Sequence, residues 1–298
     1  MPSSHLHAPL LAWYAANARE LPWRAPDRTP WGVLVSEVML QQTPVDRVLP
    51  IWQEWMRRWP TPAALAAEAP GEVVRAWGRL GYPRRALRLH EAAAACVERF
   101  GGEVPSDPEH LRSLPGVGDY TAAALSSFAF GRRAVVLDTN VRRVLARLLT
   151  GTEHPRPTIN ASERALAASV LPDLDGEAAL WSVAVMELGA LVCTASSPRC
   201  EACPVRTSCT WVALGRPAYD GPQRPVQKFA GTDRQVRGRL MAVLRDAHAP
   251  VAKSALDAVW DDAAQRERAL DGLVADGLAE PLDDGRYRLP GVGATIEP

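Results

Sequence analysis

Four cysteines within seventeen residues constrain this chain more than any other feature: Cys193, Cys200, Cys203 and Cys209, spaced C-x6-C-x2-C-x5-C. So many soft ligands in so short a span point to one loop wrapped around a metal centre rather than to disulfides. Zinc sites usually pair two short Cys knuckles across a longer gap, and only one C-x2-C step is present here. The compact spacing and the Cys203-Pro204 step lean towards a [4Fe-4S] cluster, with structural zinc as the alternative. The fifth cysteine, Cys96, lies in an Ala-rich stretch and reads as a small buried side chain.

The chain around this loop reads as a succession of helices over residues 6–212. Apolar residues recur at helical spacing in WGVLVSEVMLQQ and YTAAALSSFAF. Helix starts are marked by Thr29 before Pro30 and by Ser106-Asp107 before Pro108. Residues 215–231 carry the Pro and Gly content of a connector. Beyond it, RQVRGRLMAVLRDA and QRERALDGLVADG read as helices, and LAEPLDDGRYRLP as two short strands about an Asp-Gly turn. Helices followed by a hairpin suggest a winged-helix-like module over 232–298.

With 47% hydrophobic and 23% charged residues in 298, the composition is that of an ordinary globular protein. No apolar run approaches a membrane span, and the first residues lack a cationic segment followed by an apolar core, so a cytoplasmic protein is expected. The formal net charge is zero; residues 230–298 hold nine Lys and Arg against twelve Asp and Glu, leaving +3 on residues 1–229. Nucleic-acid binding must therefore be sought in local clusters.

Two carboxylates stand in contrasting surroundings. Glu37 lies within VLVSEVML, where apolar neighbours would desolvate it, raise its pKa and suit it to be a general acid; a buried Glu paired with an Arg is the plainer alternative. Asp138 follows an apolar run and precedes a helix, where it reads as a cap whose position favours the ionised form. One neutral acid and one anion are what cleavage of a glycosidic bond requires. About twenty residues earlier, Leu114-Pro115-Gly116-Val117-Gly118 forms a turn between helices whose backbone N–H groups can approach a phosphate, or simply a tight turn. Arg84, Arg85 and Arg88 beside Tyr82, and Arg142, Arg143 and Arg147, form two basic faces that are either solvated surface or phosphate contacts.

Taken together, SEVMLQQT, LGYPRRALRLH, LPGVGDYTAAA, VLDTNVRRVLAR and MELGALVC with its Cys ladder closely resemble the MutY-type adenine glycosylases of the helix-hairpin-helix superfamily, in order over roughly residues 10–215. The resemblance implies a mainly α fold of two helical lobes around a cleft, spanning 1–214, with the helix-hairpin-helix at about 108–130 and the cluster loop at 193–209. It implies removal of adenine mispaired with 8-oxoguanine or guanine in double-stranded DNA, by a protein expected to be a monomer. In that role Glu37 protonates adenine at N7, Asp138 stabilises the cationic sugar with Asn140 nearby, and Tyr120 stands at the catalytic centre. Trp23, Arg24, Leu40 and Glu187 match the pocket for the extruded adenine, and Gln42 and Tyr82 match residues that wedge into the stack. Arg84, Gly116, Gly118 and Arg142, with Arg199 and Arg206 on the cluster loop, are the expected DNA contacts.

The related endonuclease III group has Lys at the position of Tyr120 and uses it as a Schiff base, so little lyase activity is expected here. Thr139 follows the endonuclease III pattern, while Asn140 follows MutY. About 70 residues follow the connector, fewer than the Nudix-like domain that commonly ends MutY proteins and recognises 8-oxoguanine. A G·T thymine glycosylase of the same superfamily and a non-catalytic iron-sulfur DNA-binding protein are the rival functions. Retention of both Glu37 and Asp138 argues against the binder, and an N7 acid argues for a purine.

Overall fold

The structure, a computed structural model, describes residues 4–222 and 229–291. Residues 1–3, residues 223–228 of the expected connector and residues 292–298 of the expected C-terminal module lie outside the described residues. Helices dominate: α1 (Ser4–Asn17), α2 (Pro30–Leu40), α3 (Val45–Arg58), α4 (Pro62–Ala66), α5 (Pro70–Trp77), α6 (Arg84–Phe100), α7 (Pro108–Arg112) and α8 (Asp119–Phe128) come first. There follow α9 (Thr139–Leu145), α10 (Ala161–Val170), α11 (Asp175–Leu191), α12 (Thr210–Ala213), α13 (Asp233–Asp246), α14 (Lys253–Asp257) and α15 (Ala263–Ala275). None of the described helices is long and apolar enough to cross a membrane.

Side chains cap these helices as their sequences promise. Thr29 Oγ1 accepts the Gly32 N–H at 3.0 Å, and Asp107 Oδ1 accepts the N–H groups of Glu109 and His110 at 2.8 and 3.1 Å. Prolines open α2, α4, α5 and α7, where a missing N–H costs nothing. Within α2 every residue from Trp31 to Met39 is buried, so the helix is enclosed on all faces instead of presenting one stripe to a core.

The described residues divide into two compact units, one drawn from 4–33, 106–112 and 117–222, the other from 34–105, 113–116 and 229–291. In the first, Leu6 and Leu10 of α1 pack with Val141 and Val144 of α9 and with Trp181, Val185 and Leu188 of α11. Val205 joins this core and Cys193, Cys203 and Cys209 lie against it, so the cluster loop is built onto packed helices. In the second, Trp55 meets Trp59 and Trp77 edge-on at 5.0 and 5.6 Å, and Leu65, Val73, Leu89 and Cys96 are buried there.

The second unit also takes in the C-terminal residues, in the order helix, strand, helix, helix, strand, strand. Strands β1 (Val251–Ala252), β2 (Glu280–Pro281) and β3 (Arg286–Arg288) form an antiparallel sheet ordered β1-β3-β2, with Val251 opposite Tyr287 and Glu280 opposite Arg288. Gly285, at φ 77°, makes the turn between β2 and β3. The two helices and the hairpin follow the sequence pattern; β1 and α14 are too short to show any periodicity.

Candidate functional site

The carboxylate of Glu37 is carried inward by α2, with a relative exposure of 6% between fully buried Leu34, Val35, Ser36 and Met39. Glu37 is thus buried, as VLVSEVML leads one to expect. Asp138 is the N-cap of α9: its Oδ1 accepts the Val141 N–H at 2.6 Å, and its Oδ2 accepts Asn140 Nδ2 at 2.9 Å. Cap and candidate anion are therefore the same residue. The helix end was expected to favour the ionised form, but burial pushes the Asp138 carboxyl above its ordinary pKa; the Val141 and Asn140 hydrogen bonds and the Arg143 charge pull it back only in part. The side chain keeps a partly exposed edge, although protein atoms surround its carboxyl group closely enough for desolvation to dominate.

Asn140 is fixed from both sides, for its Oδ1 accepts Arg143 Nη2 at 2.8 Å. Arg143 goes on to donate to Gly189 O and Cys193 O, both at 2.7 Å. A Cβ at Gly189 would stand 2.7 Å from Asn140 Cβ, so this glycine is what lets α9 and α11 approach closely enough for that relay. Tyr120 lies half-buried in the first turn of α8.

Glu187 is fully buried on α11 and takes four hydrogen bonds: from Arg19 N at 3.1 Å, Arg19 Nε at 2.7 Å, Arg19 Nη2 at 2.8 Å and Arg24 Nη1 at 2.8 Å. Burial, the largest single influence, raises its pKa, but the hydrogen bonds and charges of the two arginines together outweigh it and hold the carboxyl down to about 2. Trp23 is buried beside Arg24 in a short 3-10 turn, Pro22–Arg24, while Leu40 ends α2, half-buried. Arg19 was not visible as a site residue from the sequence, since its partner lies 168 residues away.

All four cluster-loop cysteines border one pocket, together with Arg147, Val192, Pro198, Arg206, Trp211 and Val212. Arg147, 1% exposed, donates to Cys193 Sγ at 3.4 Å and to the carbonyls of Glu153, Thr194 and Ala195, with its guanidinium 4.7 Å from the Trp211 ring. Among the described residues no group of three or more His, Cys, Asp or Glu is placed to clasp a single ion. Four thiols around one pocket are a donor set that an iron-sulfur cluster can take.

The expected DNA contacts separate into two classes. Gln42 and Tyr82 sit at exposed turns, both with left-handed backbones at φ 56° and 47°, a conformation that costs a non-glycine residue roughly 1–2 kcal/mol. Arg84 is half-exposed, paired with Asp276 at 3.0 Å, and Arg88 pairs with Glu91 at 2.7 Å. Gly116, at φ 79°, needs to be glycine twice over, since a Cβ there would meet Arg88 Cβ at 2.9 Å. Gly118 has an ordinary φ of −94° and is the N-cap of α8. Arg199 and Arg206 are exposed; the first donates to Leu191 O at 2.6 Å and the second pairs with Glu201 at 3.1 Å.

Arg142 corrects the expectation. It is 6% exposed, doubly bonded to Glu163 at 2.6 and 2.9 Å, and donates to Arg156 O at 2.7 Å. Its Nε and Nη2 donors are committed inside the protein, and its burial withdraws the side chain from the surface where a phosphate would bind. Arg143 and Arg147 are buried in the same way, so the second basic face is internal scaffolding. Arg85 leaves the first face too, turning inward onto backbone carbonyls. Arg234 on α13, not anticipated, donates to Tyr82 Oη at 3.3 Å.

The family described as HhH-GPD superfamily base excision DNA repair protein matches residues 35–168, and the iron-sulfur binding domain of endonuclease III matches 193–209. The chain is 52% identical to an adenine DNA glycosylase of Mycobacterium tuberculosis (strain ATCC 25618 / H37Rv), over 95% of this chain and 93% of that protein. It is equally similar, at 52%, to an adenine DNA glycosylase of Mycolicibacterium smegmatis (strain ATCC 700084 / mc(2)155), over 97% of each. A thermostable thymine-DNA glycosylase of known structure superposes with a TM-score of 0.63 at 26% identity, covering 71% of this chain and 97% of that one.

Proposed function

Since the chain belongs to the adenine DNA glycosylases of the HhH-GPD superfamily, base excision repair enzymes that hydrolyse N-glycosidic bonds, we propose that its substrate is adenine mispaired with 8-oxoguanine or guanine in duplex DNA. The observation that carries this reading is the pairing of a buried carboxyl on α2, Glu37, with a second carboxylate, Asp138, held by directed N–H donors. Glu37 gives its proton to N7 of the extruded adenine. The C1′–N9 bond then breaks with its electron pair leaving on the base, and Asp138 offsets the positive charge on the sugar until water adds. Asn140 and Arg143 keep Asp138 aimed and oppose its protonation. With Tyr120 in place of a Schiff-base lysine, the strand is left uncut.

Trp23, Arg24 and Leu40 line the adenine pocket in this reading. Glu187 already accepts four hydrogen bonds, about the capacity of a carboxylate, so it contributes by holding Arg19 and Arg24 in place. Gln42 and Tyr82 enter the stack when the base is extruded, and Arg84, the Gly116–Gly118 backbone, Arg199 and Arg206 contact phosphates. The iron-sulfur cluster is of the four-iron type, ligated by Cys193, Cys200, Cys203 and Cys209, and its chemistry is structural: it fixes the loop bearing Arg199 and Arg206. The protein acts as a monomer on DNA in the cytoplasm.

The test is single-turnover excision on duplexes containing A·8-oxoguanine, A·G, T·G and A·T, with and without alkali. Adenine release opposite 8-oxoguanine and guanine, with little cleavage before alkali, is expected, and Glu37→Gln should abolish release while duplex binding persists. Excision confined to T·G would identify a thymine glycosylase instead, and no excision with a loaded cluster a non-catalytic binder.

A further inference from the structure

Arg85 is the most heavily bonded side chain of the LGYPRRALRLH segment, and none of its contacts is to a carboxylate. Its Nη1 donates to the carbonyls of Val38 at 2.8 Å, Met39 at 3.2 Å and Gln41 at 2.7 Å. Its Nη2 donates to Gly81 O at 3.0 Å and Thr43 Oγ1 at 3.2 Å, with Leu80 O at 3.4 Å. Thr43 Oγ1 lies within reach of Gln41 O at 3.3 Å and Leu80 O at 3.2 Å and ties the two turns a second time. Above the guanidinium lie the rings of Trp77 and Tyr82, with centroids 5.1 and 5.7 Å from its central carbon. Only its buried Nε lacks a hydrogen-bond partner.

Three otherwise separate pieces of backbone therefore converge on one fork. Val38 and Met39 belong to the last turn of α2, whose carbonyls have no intrahelical partner and favour a cation. Gln41 and Thr43 flank Gln42, and Leu80 and Gly81 precede Tyr82. Those two tips are both left-handed, a state that persists only where the surroundings enforce it. A lysine could satisfy one or two of these acceptors but not a planar array spread over both turns.

We propose that Arg85 is a positioning residue that sets the spacing and backbone conformation of the Gln42 and Tyr82 tips, so that both reach the base stack together when adenine is extruded. The inference rests on the reading that these two tips act on the stack. Burial lowers the Arg85 pKa to about 10, which leaves it a cation at neutral pH and able to serve all its acceptors.

The experiment is a mutant cycle on the full-length, cluster-loaded protein. Single-turnover excision of adenine opposite 8-oxoguanine is measured for Arg85→Lys, for Gln42→Ala/Tyr82→Ala, and for the triple variant, with 2-aminopurine fluorescence reporting extrusion. Arg85→Lys is expected to slow excision at least tenfold and slow the fluorescence rise in parallel. In the Gln42→Ala/Tyr82→Ala background the same substitution should cost less than twofold, because the groups it positions are gone. An undiminished loss in that background, or an Arg85→Lys rate within twofold of the parent, would overturn the inference while leaving the wedge reading intact. If Gln42→Ala/Tyr82→Ala is itself unimpaired, the wedge reading fails and the inference with it. Should Arg85→Lys not fold, Thr43→Ala takes its place in the cycle, with Thr43→Ser expected to restore the rate and the same non-additivity required.

Discussion

Arg84, Arg85 and Arg88 open α6, and Arg142, Arg143 and Arg147 run from α9 into the turn that follows it. As sequence, both groups are basic helix faces next to candidate site residues. In the fold, Arg84 and Arg88 keep about half of their side chains exposed and pair with carboxylates at the surface, whereas Arg142, Arg143 and Arg147 are 6%, 8% and 1% exposed. Arg84 and Arg88 can still exchange a surface partner for a phosphate, whereas Arg85 is turned inward onto backbone carbonyls. The second group is buried and directs its donors to Glu163, Asn140, Cys193 and the carbonyls of the cluster loop. What separates the two groups is the supply of buried acceptors. A loop wrapped around a metal centre exposes carbonyls that no helix or sheet satisfies, and arginine, with five donors in a fixed fork, answers several at once.

The comparison predicts its largest effect at Arg147. Arg147→Met leaves the carbonyls of Glu153, Thr194 and Ala195 and the Cys193 sulfur without their donor; Ala195 is exposed and the others half-buried, so at the lower end of ~1–3 kcal/mol for each unsatisfied group the loss should be about 4 kcal/mol. Thermal unfolding and iron content should fall together. A variant with full iron and a parental midpoint would break the claim that this run is scaffolding.

Arg143→Met comes next and is read out in pH. Arg143 holds the Asp138 pKa down against burial, so removing it should raise that pKa further. Asp138 must be ionised to stabilise the sugar cation, and excision is lost as pH falls through its pKa. The acid limb of the rate profile should therefore move to higher pH, with activity recovered as pH rises. A limb that stays put would mean that Asp138 is not the group titrating there. Arg142→Ala should cost less, about 3 kcal/mol from stranding Glu163, and leave the salt dependence of duplex binding unchanged. A shallower salt slope would return Arg142 to the DNA-contacting class.

How much of this was legible follows the range of each interaction. The cysteine ladder, the enclosed α2 and the Asp138 cap are local: ligands within one loop, one helix's own composition, and a side chain reaching an N–H three residues on. The fates of the arginines are not local. Arg143 meets Cys193 across 50 residues, Arg85 reaches back 47 to Val38, and Arg19 finds Glu187 across 168. No spacing rule sees such partners. The upward shift of Asp138 was hidden for the same reason: the cap is written in neighbouring residues, while the atoms that desolvate it arrive with the tertiary fold.

Arg84→Ala carries the smallest expected effect and is the sharpest test of the other half of the comparison. Its pair with Asp276 is half-exposed, and Asp276 retains Arg237, so stability should change by less than about 0.5 kcal/mol. If Arg84 gives up that pair for a phosphate when DNA binds, each such contact contributes close to one counterion. The slope of log affinity against log salt should then flatten by about one. A flattened slope with unchanged stability is a signature that no buried arginine of the second group can give. An unchanged slope would mean that exposure alone does not make a contact, and that Arg84 serves instead to hold α6 against the C-terminal helices through Asp276.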